Sequence, residues 1–522
     1  MKSFVSKYAK NVIGTLSGFD RLVFRGSLRS LSYVGGMKSY LYSAGVLLKD
    51  FAQHVETASK RLKESSLESA QLASRPVEYL QSSGTNKEEV AKKIAEADRI
   101  KNGLICILTS VEQCKSYDIF RNREKKLLEL VPRQRKCLHI YHYLYHPTFG
   151  FMNARIQTWF PFNVQICING REWLSRQMDE VGLGYQRKEN CFTWLEDSAK
   201  AQQLMAQQVR SYWPTLLDGV SRMLNPIHSE MFTNFPVEYY WSTFQSEWAT
   251  DIMFRNAETL GQIYPRIVQH GLTTFSSPDV MRFLGRKISA KGRIPPAFRG
   301  EVVSDVKERP EGVRIKHRVG GNSVKLYDKQ GSVLRAETTI NNVQDFKVFR
   351  HTEGKPEKGR EWLPMRKGIA DLYRRTEVSQ AANDRYLEAI SSVEDSTKLS
   401  QLVDQICHPT QWQGRRSRAL NPHAPDDSFL LEIVSRGEFT LNGFRNRDIK
   451  TLLFPGESAS AKETRRRSSA VTRKLRFLRA HGLIKKVPKT HRYLLTDKGR
   501  TIITTLLTVR NASAKSLMKL AA

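Results

Sequence analysis

No run of the 522-residue chain is apolar for long enough to span a bilayer. The longest, such as "GLICIL" at 103–108, falls far short of the ~20 residues a membrane helix needs. The basic N-terminus, "MKSFVSKYAKNVIGTLSGFD", lacks an apolar core of signal-peptide length. Six cysteines (Cys106, Cys114, Cys137, Cys167, Cys191 and Cys407) form no CxxC pair and no zinc spacing. A zinc module and a secreted disulfide framework are therefore not expected, and the thiols should be reduced and mostly buried. There is no internal repeat and no extended low-complexity tract. Together these absences lead us to expect a soluble cytoplasmic protein with no membrane partner.

Carboxylates are scarce as well. Only 52 Asp+Glu face 84 Lys+Arg, a net charge of +32. A surplus of that size says nothing about fold but predicts attraction to polyanions, with nucleic acid the default partner. What is present is otherwise ordinary: 40% apolar and 26% charged residues allow large cores. The length suits about three or four domains.

The pattern along the chain predicts an α/β (mixed α+β), multidomain protein. Residues 1–128 read as an α/β region: "FDRLVFRGSL" as a strand, 37–72 as helix, a capping box at Thr85 and Glu88 opening a second helix, then "GLICILTSV" as a buried strand. Residues 129–290 combine a sheet with a helical region. There Met152, Ala154 and Ile156, then Val164, Ile166 and Ile168, should face a core, leaving Asn153, Arg155, Gln157 and Trp159 on an open face able to stack and bind bases. Residues 200–290 read mainly as helices. Residues 291–407 are hairpin-rich before turning helical, with 351–360 as a charged loop. Residues 408–424, rich in Pro and Arg, read as a linker.

From 425 to 522 the pattern is helix, helix, basic helix, hairpin, helix, and it resembles a winged helix-turn-helix domain. In "KETRRRSSAVTRKLRFLRAHG", Val471, Leu475 and Leu478 form a packing stripe, and Arg466, Ser469, Arg473 and Arg476 lie roughly opposite. That second side is the one a recognition helix turns to the major groove. The resemblance implies that the "KKVPKTHR" turn, with Lys485, Lys486, Lys489 and Arg492, is a wing on the DNA backbone. Residues 411–522 carry +16, half of the whole surplus.

Two further patterns carry chemistry. In "GNSVKLYDKQGSVLRAETTIN" (321–341), two alternating runs flank a Gly-containing break and read as a hairpin. One face would gather Lys325, Tyr327, Arg335 and Glu337, and the preceding "GVRIKHRVG" would add Arg314, Lys316 and Arg318. Cations or a carboxylate-held metal beside a phenol favour phenolate. The string K-x-Y-D-K, then R-x-E, resembles part of some rolling-circle replication initiators. That resemblance implies Tyr327 as nucleophile, Glu337 as a metal or structural carboxylate, and Lys325, Lys329 and Arg335 as phosphate contacts. The His-x-His pair of the commonest initiators has no counterpart: His139 and His142 differ in strand parity.

The alternative chemistry uses clustered carboxylates. Glu247, Asp251 and Arg255 fit one face of a helix, and Asp20 with Glu247 or Asp251 would form an acidic set of the kind RNase-H-like transposases use to hold metals. Mg2+ or Mn2+ is the cofactor either chemistry would take. The runs "GFDRLVFRGSLRSLSYVGG", "GFMNARIQTWFPF", "NGREWL", "YDKQGSVLRAETTIN" and "LNGFRNRDI" are similar to a family of uncharacterised bacterial proteins; the similarity implies a bacterial, mobile-element setting and says nothing of activity. The expectation is a DNA-binding, nucleoid-associated protein that is either a replication initiator or a transposase-like enzyme. A non-enzymatic DNA- or RNA-binding protein remains the alternative, with single-stranded DNA or RNA a partner of the core, and a ligand-sensing transcription regulator a third class.

Overall fold

The computed structural model describes residues 1–286, 288, 298, 300–309, 312–352, 354–391, 399–436, 439, 443–456, 458–488 and 490–511. The chain is mixed α+β, and among the described residues no helix is long and apolar enough to cross a membrane. Its early strands are β1 (Val12–Leu28), β2 (Val77–Tyr79), β3 (Gly103–Asn122), β4 (Leu127–His146), β5 (Gly150–Gln157), β6 (Val164–Asn169), β7 (Tyr185–Lys188), β8 (Cys191–Leu195) and β9 (Tyr239–Phe254). Then come β10 (Val302–Arg309), β11 (Gly312–Val319), β12 (Asn322–Lys329), β13 (Val333–Ile340), β14 (Lys347–Thr352) and β15 (Lys355–Pro364). The last are β16 (Thr410–Trp412), β17 (Arg415–Ser417), β18 (Phe444–Arg445), β19 (Ile484–Lys486) and β20 (Arg492–Leu495).

The compact units do not follow the consecutive segments expected. One unit comprises Met1–Val12, Arg255–Gly331 and Ala381–Ala522; the other comprises Ile13–Phe254 and Ser332–Gln380. The predicted hairpin turn, with Gln330 at φ 58° and Gly331 at φ 77°, is one of the places where the chain passes between them.

In the second unit the strand order is β13-β9-β1-β6-β5-β4-β3-β2. Leu22 and Phe24 of β1 stand opposite Ile168 and Ile166 of β6, which stand opposite Met152 and Ala154 of β5. These are the apolar positions that alternation predicts, and all of them are buried in one core. Helices Phe51–Leu72, Gly170–Glu180 and Trp213–Leu224 add Val55, Leu62, Leu174 and Leu217 to that core, each burial worth roughly 1.5–3 kcal/mol. Helix Lys87–Ala97 is capped by Asn86, which accepts from Glu89 N, one residue later than the Thr85–Glu88 box expected.

Two expectations are corrected here. The helical stretch foreseen over 200–290 contains β9, so Glu247 and Asp251 share a strand face rather than a helix face. The foreseen loop at 351–360 belongs to the β14–β15 hairpin.

In the first unit β11 pairs with both β10 and β12. One face carries Ile315, His317 and Leu326, all buried. Gly271 of helix Ala257–Thr273 is required there, because a Cβ would come within 2.7 Å of Ile315 Cδ1. His317 Nε2 meets Tyr386 Oη at 2.9 Å beside the rings of Phe275 and Phe283.

Toward the C-terminus, the order is helix Pro425–Val434, β18, helices Asn446–Leu453 and Ala461–Ala480, β19, β20 and helix Asp497–Asn511. The three strands form one sheet in the order β18-β20-β19. Gly443 permits the close approach of β18: a Cβ there would lie 2.1 Å from Tyr493 O, and its φ is +63°. Residues 408–424 are no free linker. Strands β16 and β17 pair, Leu420 is buried with the C-terminal core, Arg418 binds Asp427, and Arg479 lies over the Trp412 ring at 4.7 Å. Proline and arginine made the stretch look loose, but cation–π and ion-pair contacts fasten it.

Candidate acidic site and basic faces

Strand β13, "VLRAETTI", is buried at all eight positions although it carries Arg335 and Glu337. Buried charges must be paired. In the antiparallel register with β9, Arg335 stands directly opposite Asp251, Glu337 opposite Ala249, and Thr339 opposite Glu247. The small Ala249 sits beside Glu337, and Glu247 lies diagonally across.

Arg335 holds the arrangement together. Its Nε and Nη2 donate to the two oxygens of Asp251 at 2.5 and 2.9 Å, its Nη1 donates to Asp20 Oδ1 at 3.0 Å, and Nη2 also reaches Asn190 O at 2.8 Å. Arg171 approaches Asp251 from the start of helix Gly170–Glu180, Nη2 to Oδ2 at 3.0 Å, and Asn190 Nδ2 donates to both Asp20 oxygens at 2.8 and 2.9 Å. A bidentate guanidinium–carboxylate pair fixes direction as well as charge.

Above this base, Asp20, Glu247 and Glu337 each offer a carboxylate oxygen, all within 4.8 Å of one another. Asp20 and Glu337 are buried and Glu247 is half-buried. Three oxygens converging from three strands are a hard-donor set of the kind that suits Mg2+ or Mn2+. Asp20 and Glu247, foreseen as metal candidates, are thus brought together, and Glu337 supplies the third carboxylate that spacing alone left open.

Asp251 and Arg335 have other roles than those foreseen. Asp251, 0% exposed, is tied to Arg335 and Arg171 and supports the site from beneath. Arg335, also 0% exposed, has its guanidinium committed to Asp20 and Asp251, so it is no phosphate contact. Tyr327 belongs to the first unit and Glu337 to the second. The Tyr327 side chain is buried opposite Arg314, whereas a nucleophile for a DNA strand has to be reachable. Lys329 is buried too.

The other core cations fare differently. Arg314, Lys316 and Arg318 stand opposite Tyr327, Lys325 and Ser323, so Arg314, Lys316, Arg318 and Lys325 share the face of β11 and β12 turned away from His317. All four are half-buried or exposed. Burial, then the charges of Lys325, Arg314 and Arg318, push the Lys316 pKa down, which a crowd of like charges does. On the expected open sheet of the second unit, Gln157 is buried, and Arg155 donates to Glu112 at 3.2 Å, Tyr141 at 3.3 Å and Gln165 at 3.0 Å. Against the desolvation of burial, hydrogen bonds from Tyr141 and Ser110 and the Arg155 charge hold the Glu112 carboxyl below its ordinary range. Trp159 is stacked by Arg135 at 4.5 Å. Tyr141 and Tyr143 are buried under helix Lys87–Ala97, so this face is covered rather than open.

Burial also pushes His139 and His142 in the second unit, and His317 in the first, down to about 4; the Arg155 charge adds to the effect at His139. The ordinary value in an unfolded chain is ~6.5, so between those pH values the native state binds fewer protons. Stability is therefore complete above about pH 6.5 and is lost as pH falls toward 4. Urea unfolding across that range should show a loss of roughly 1–2 kcal/mol per histidine from pH 7 to 5. His142→Gln should flatten the profile; an unchanged slope would mean that His142 titrates normally.

In helix Ala461–Ala480, Val471, Leu475 and Leu478 are buried, while Arg466, Ser469, Arg473 and Arg476 are all exposed. Lys485 and Lys486 of β19 are exposed and Arg492 of β20 is half-buried; Lys489 lies outside the described residues. The residues that sequence reasoning missed are Arg171 and Asn190. Arg171 opens a helix and resembles an ordinary surface cation, and Asn190 sits in the tight β7–β8 turn, so neither has a local signature. Compared with known proteins, the chain matches no family model, no curated protein and no solved structure.

Proposed function

We propose that this is a DNA-binding protein that docks on duplex DNA through a winged helix at its C-terminus. The observation that carries the reading is the clean division of helix Ala461–Ala480 into a buried apolar stripe and an exposed row of Arg466, Ser469, Arg473 and Arg476. The β18-β20-β19 sheet, with Lys485 and Lys486 exposed on β19, supports it. From Arg466 to Arg476 a helix advances about 15 Å, enough to follow four or five base pairs. The proposed setting is a bacterial mobile element, on the similarity of the sequence runs quoted above.

The test is a titration of fluorescent duplex DNA at several salt concentrations. Replacing Arg466, Arg473 and Arg476 together by Ala should make the slope of log K against log salt shallower by about 2–3, and weaken binding about a hundredfold near 0.15 M salt. If the slope and affinity stay as in the wild type, the helix is not the contact.

A second reading is metal-dependent cleavage of a nucleic-acid strand, favoured by the convergence of Asp20, Glu247 and Glu337 within 4.8 Å. When bound, Mg2+ or Mn2+ would polarise a phosphate oxygen or activate water. The chain's part is to hold the three carboxylates, with Arg335, Arg171 and Asn190 fixing two of the four acidic groups from below. The basic face of β11 and β12 is the proposed track for single-stranded DNA or RNA. Without cleavage, the same parts describe a non-enzymatic binding protein.

A further inference from the structure

Strands β3 and β4 are each 20 residues long, yet β5 pairs only with residues 139–146 of β4 and β2 only with residues 107–109 of β3. Past those partners the two strands continue as a ribbon, pairing regularly out to Asn122 and Leu127. The ribbon is not loose. Tyr117 and Leu130 are buried in the core of the second unit, and Tyr117 Oη donates to Leu31 O at 2.8 Å. The tip beyond them is therefore presented on a fixed base.

The tip has an unusual composition for a fixed surface. Phe120 is 55% exposed, Leu127 59% and Leu128 39%. Among them stand exposed Arg121, Arg123 and Lys126, and these three cations line one concavity with Leu127 and Leu128. Charges alone would serve to keep a strand edge soluble. Three large apolar side chains at the same tip defeat that purpose and call for a partner that accepts both kinds of contact.

We propose that this tip is a second nucleic-acid contact, entering a groove of duplex DNA with Arg121, Arg123 and Lys126 on the phosphates and Phe120 and Leu127, which share a face, against the bases. The proposal rests on the reading that the chain binds DNA. A two-stranded ribbon fits the major groove of B-form DNA, whereas the major groove of duplex RNA is too narrow to read. In the DNA major groove apolar side chains can pack on base edges, as on the thymine methyl. An anionic membrane would also attract cations beside apolar groups. It would meet the tip only, however, while exposed cations continue down the ribbon at Lys115, Arg133 and Lys136, as two rows of phosphates along a groove would favour.

The full-length protein is titrated with fluorescent duplex DNA of mixed sequence, across a salt series. In one variant Arg121, Arg123 and Lys126 become Ala; in a second, Phe120 and Leu127 become Ala. The first should lower the salt slope by about 2–3 and weaken binding tenfold to a hundredfold. The second should weaken binding with no change in slope, because no phosphate contact is lost. Both should keep the wild-type melting temperature, since every altered side chain is exposed. Wild-type binding that persists with unchanged slope and affinity in both variants overturns the tip contact and leaves the C-terminal reading intact. Failure of the wild type to bind any duplex overturns both. Vesicles of phosphatidylcholine with phosphatidylserine are the control: tip-dependent binding to them, with DNA binding untouched, makes the tip a membrane contact instead.

Discussion

Replacing Arg335 by Met is expected to cost about 3–5 kcal/mol of stability, the usual penalty for removing one partner of a buried ion pair. The side chain is wholly buried and is the shared cation of Asp20 and Asp251. Without it Asp251 keeps the Arg171 pair, but Asp20 loses its guanidinium in a water-poor site beside Glu337 and must take up a proton or drag in water. Urea unfolding should show the midpoint fall. The companion Arg335→Met with Asp20→Asn should recover part of the loss, because it removes the charge of Asp20 while Asp251 keeps its pair with Arg171. Arg335→Lys should fall between, since an ammonium keeps the charge but cannot span two carboxylates as a planar fork does. A loss below about 1 kcal/mol in the Met variant would mean that the cluster is solvated, as surface pairs are.

Glu247→Gln is expected to reduce metal-dependent strand cleavage about a hundredfold or more, if the acidic triad holds the catalytic ion. Glu247 suits the test because it is half-buried, whereas Asp20→Asn would disturb the Arg335 pair as well. End-labelled single- and double-stranded DNA would be incubated with Mg2+ or Mn2+, and Mn2+ binding would be followed separately by calorimetry. Loss of both cleavage and binding in Glu247→Gln supports the triad. Cleavage unchanged in that variant removes it. Tyr327→Phe should cut as the wild type does, because the Tyr327 ring is buried. If that variant instead loses cleavage, and the wild type retains label on the protein, covalent tyrosine chemistry replaces the metal reading.

How much of this was legible in the sequence depends on the distance over which each feature is encoded. The stripe of Val471, Leu475 and Leu478 was legible because helical periodicity is local, and the strands around Gly331 were legible because alternation and a turn residue coincide within twenty positions. Strand β9 was not. Its second half, "WATDIMF", is buried on both faces, so alternation fades there, and the four-residue spacing of Glu247 and Asp251 satisfies a helix face and a strand face equally. The acidic site was half-legible for a related reason. Residue types named Asp20, Glu247 and Glu337 one by one, but their meeting depends on strand order, which no local pattern records. Arg335 misled most: in a hairpin it looked like a surface cation, and only the opposed Asp251 and the distant Asp20 show why it is buried.

The interleaving of the two units bears on how the chain is made. Asp20 and Asp251 precede their common partner Arg335 by 315 and 84 residues. At the usual pace of about 5–20 residues per second, a ribosome needs on the order of 15 s to a minute to cover the longer interval. Throughout that time the second unit lacks β13, the strand that brings Arg335 and Glu337. Over the last 84 residues of that interval β9 exists with an open edge, and Asp20 and Asp251 await their shared guanidinium, a state that chaperones are suited to shelter; the unit's residues are complete once translation has passed Gln380.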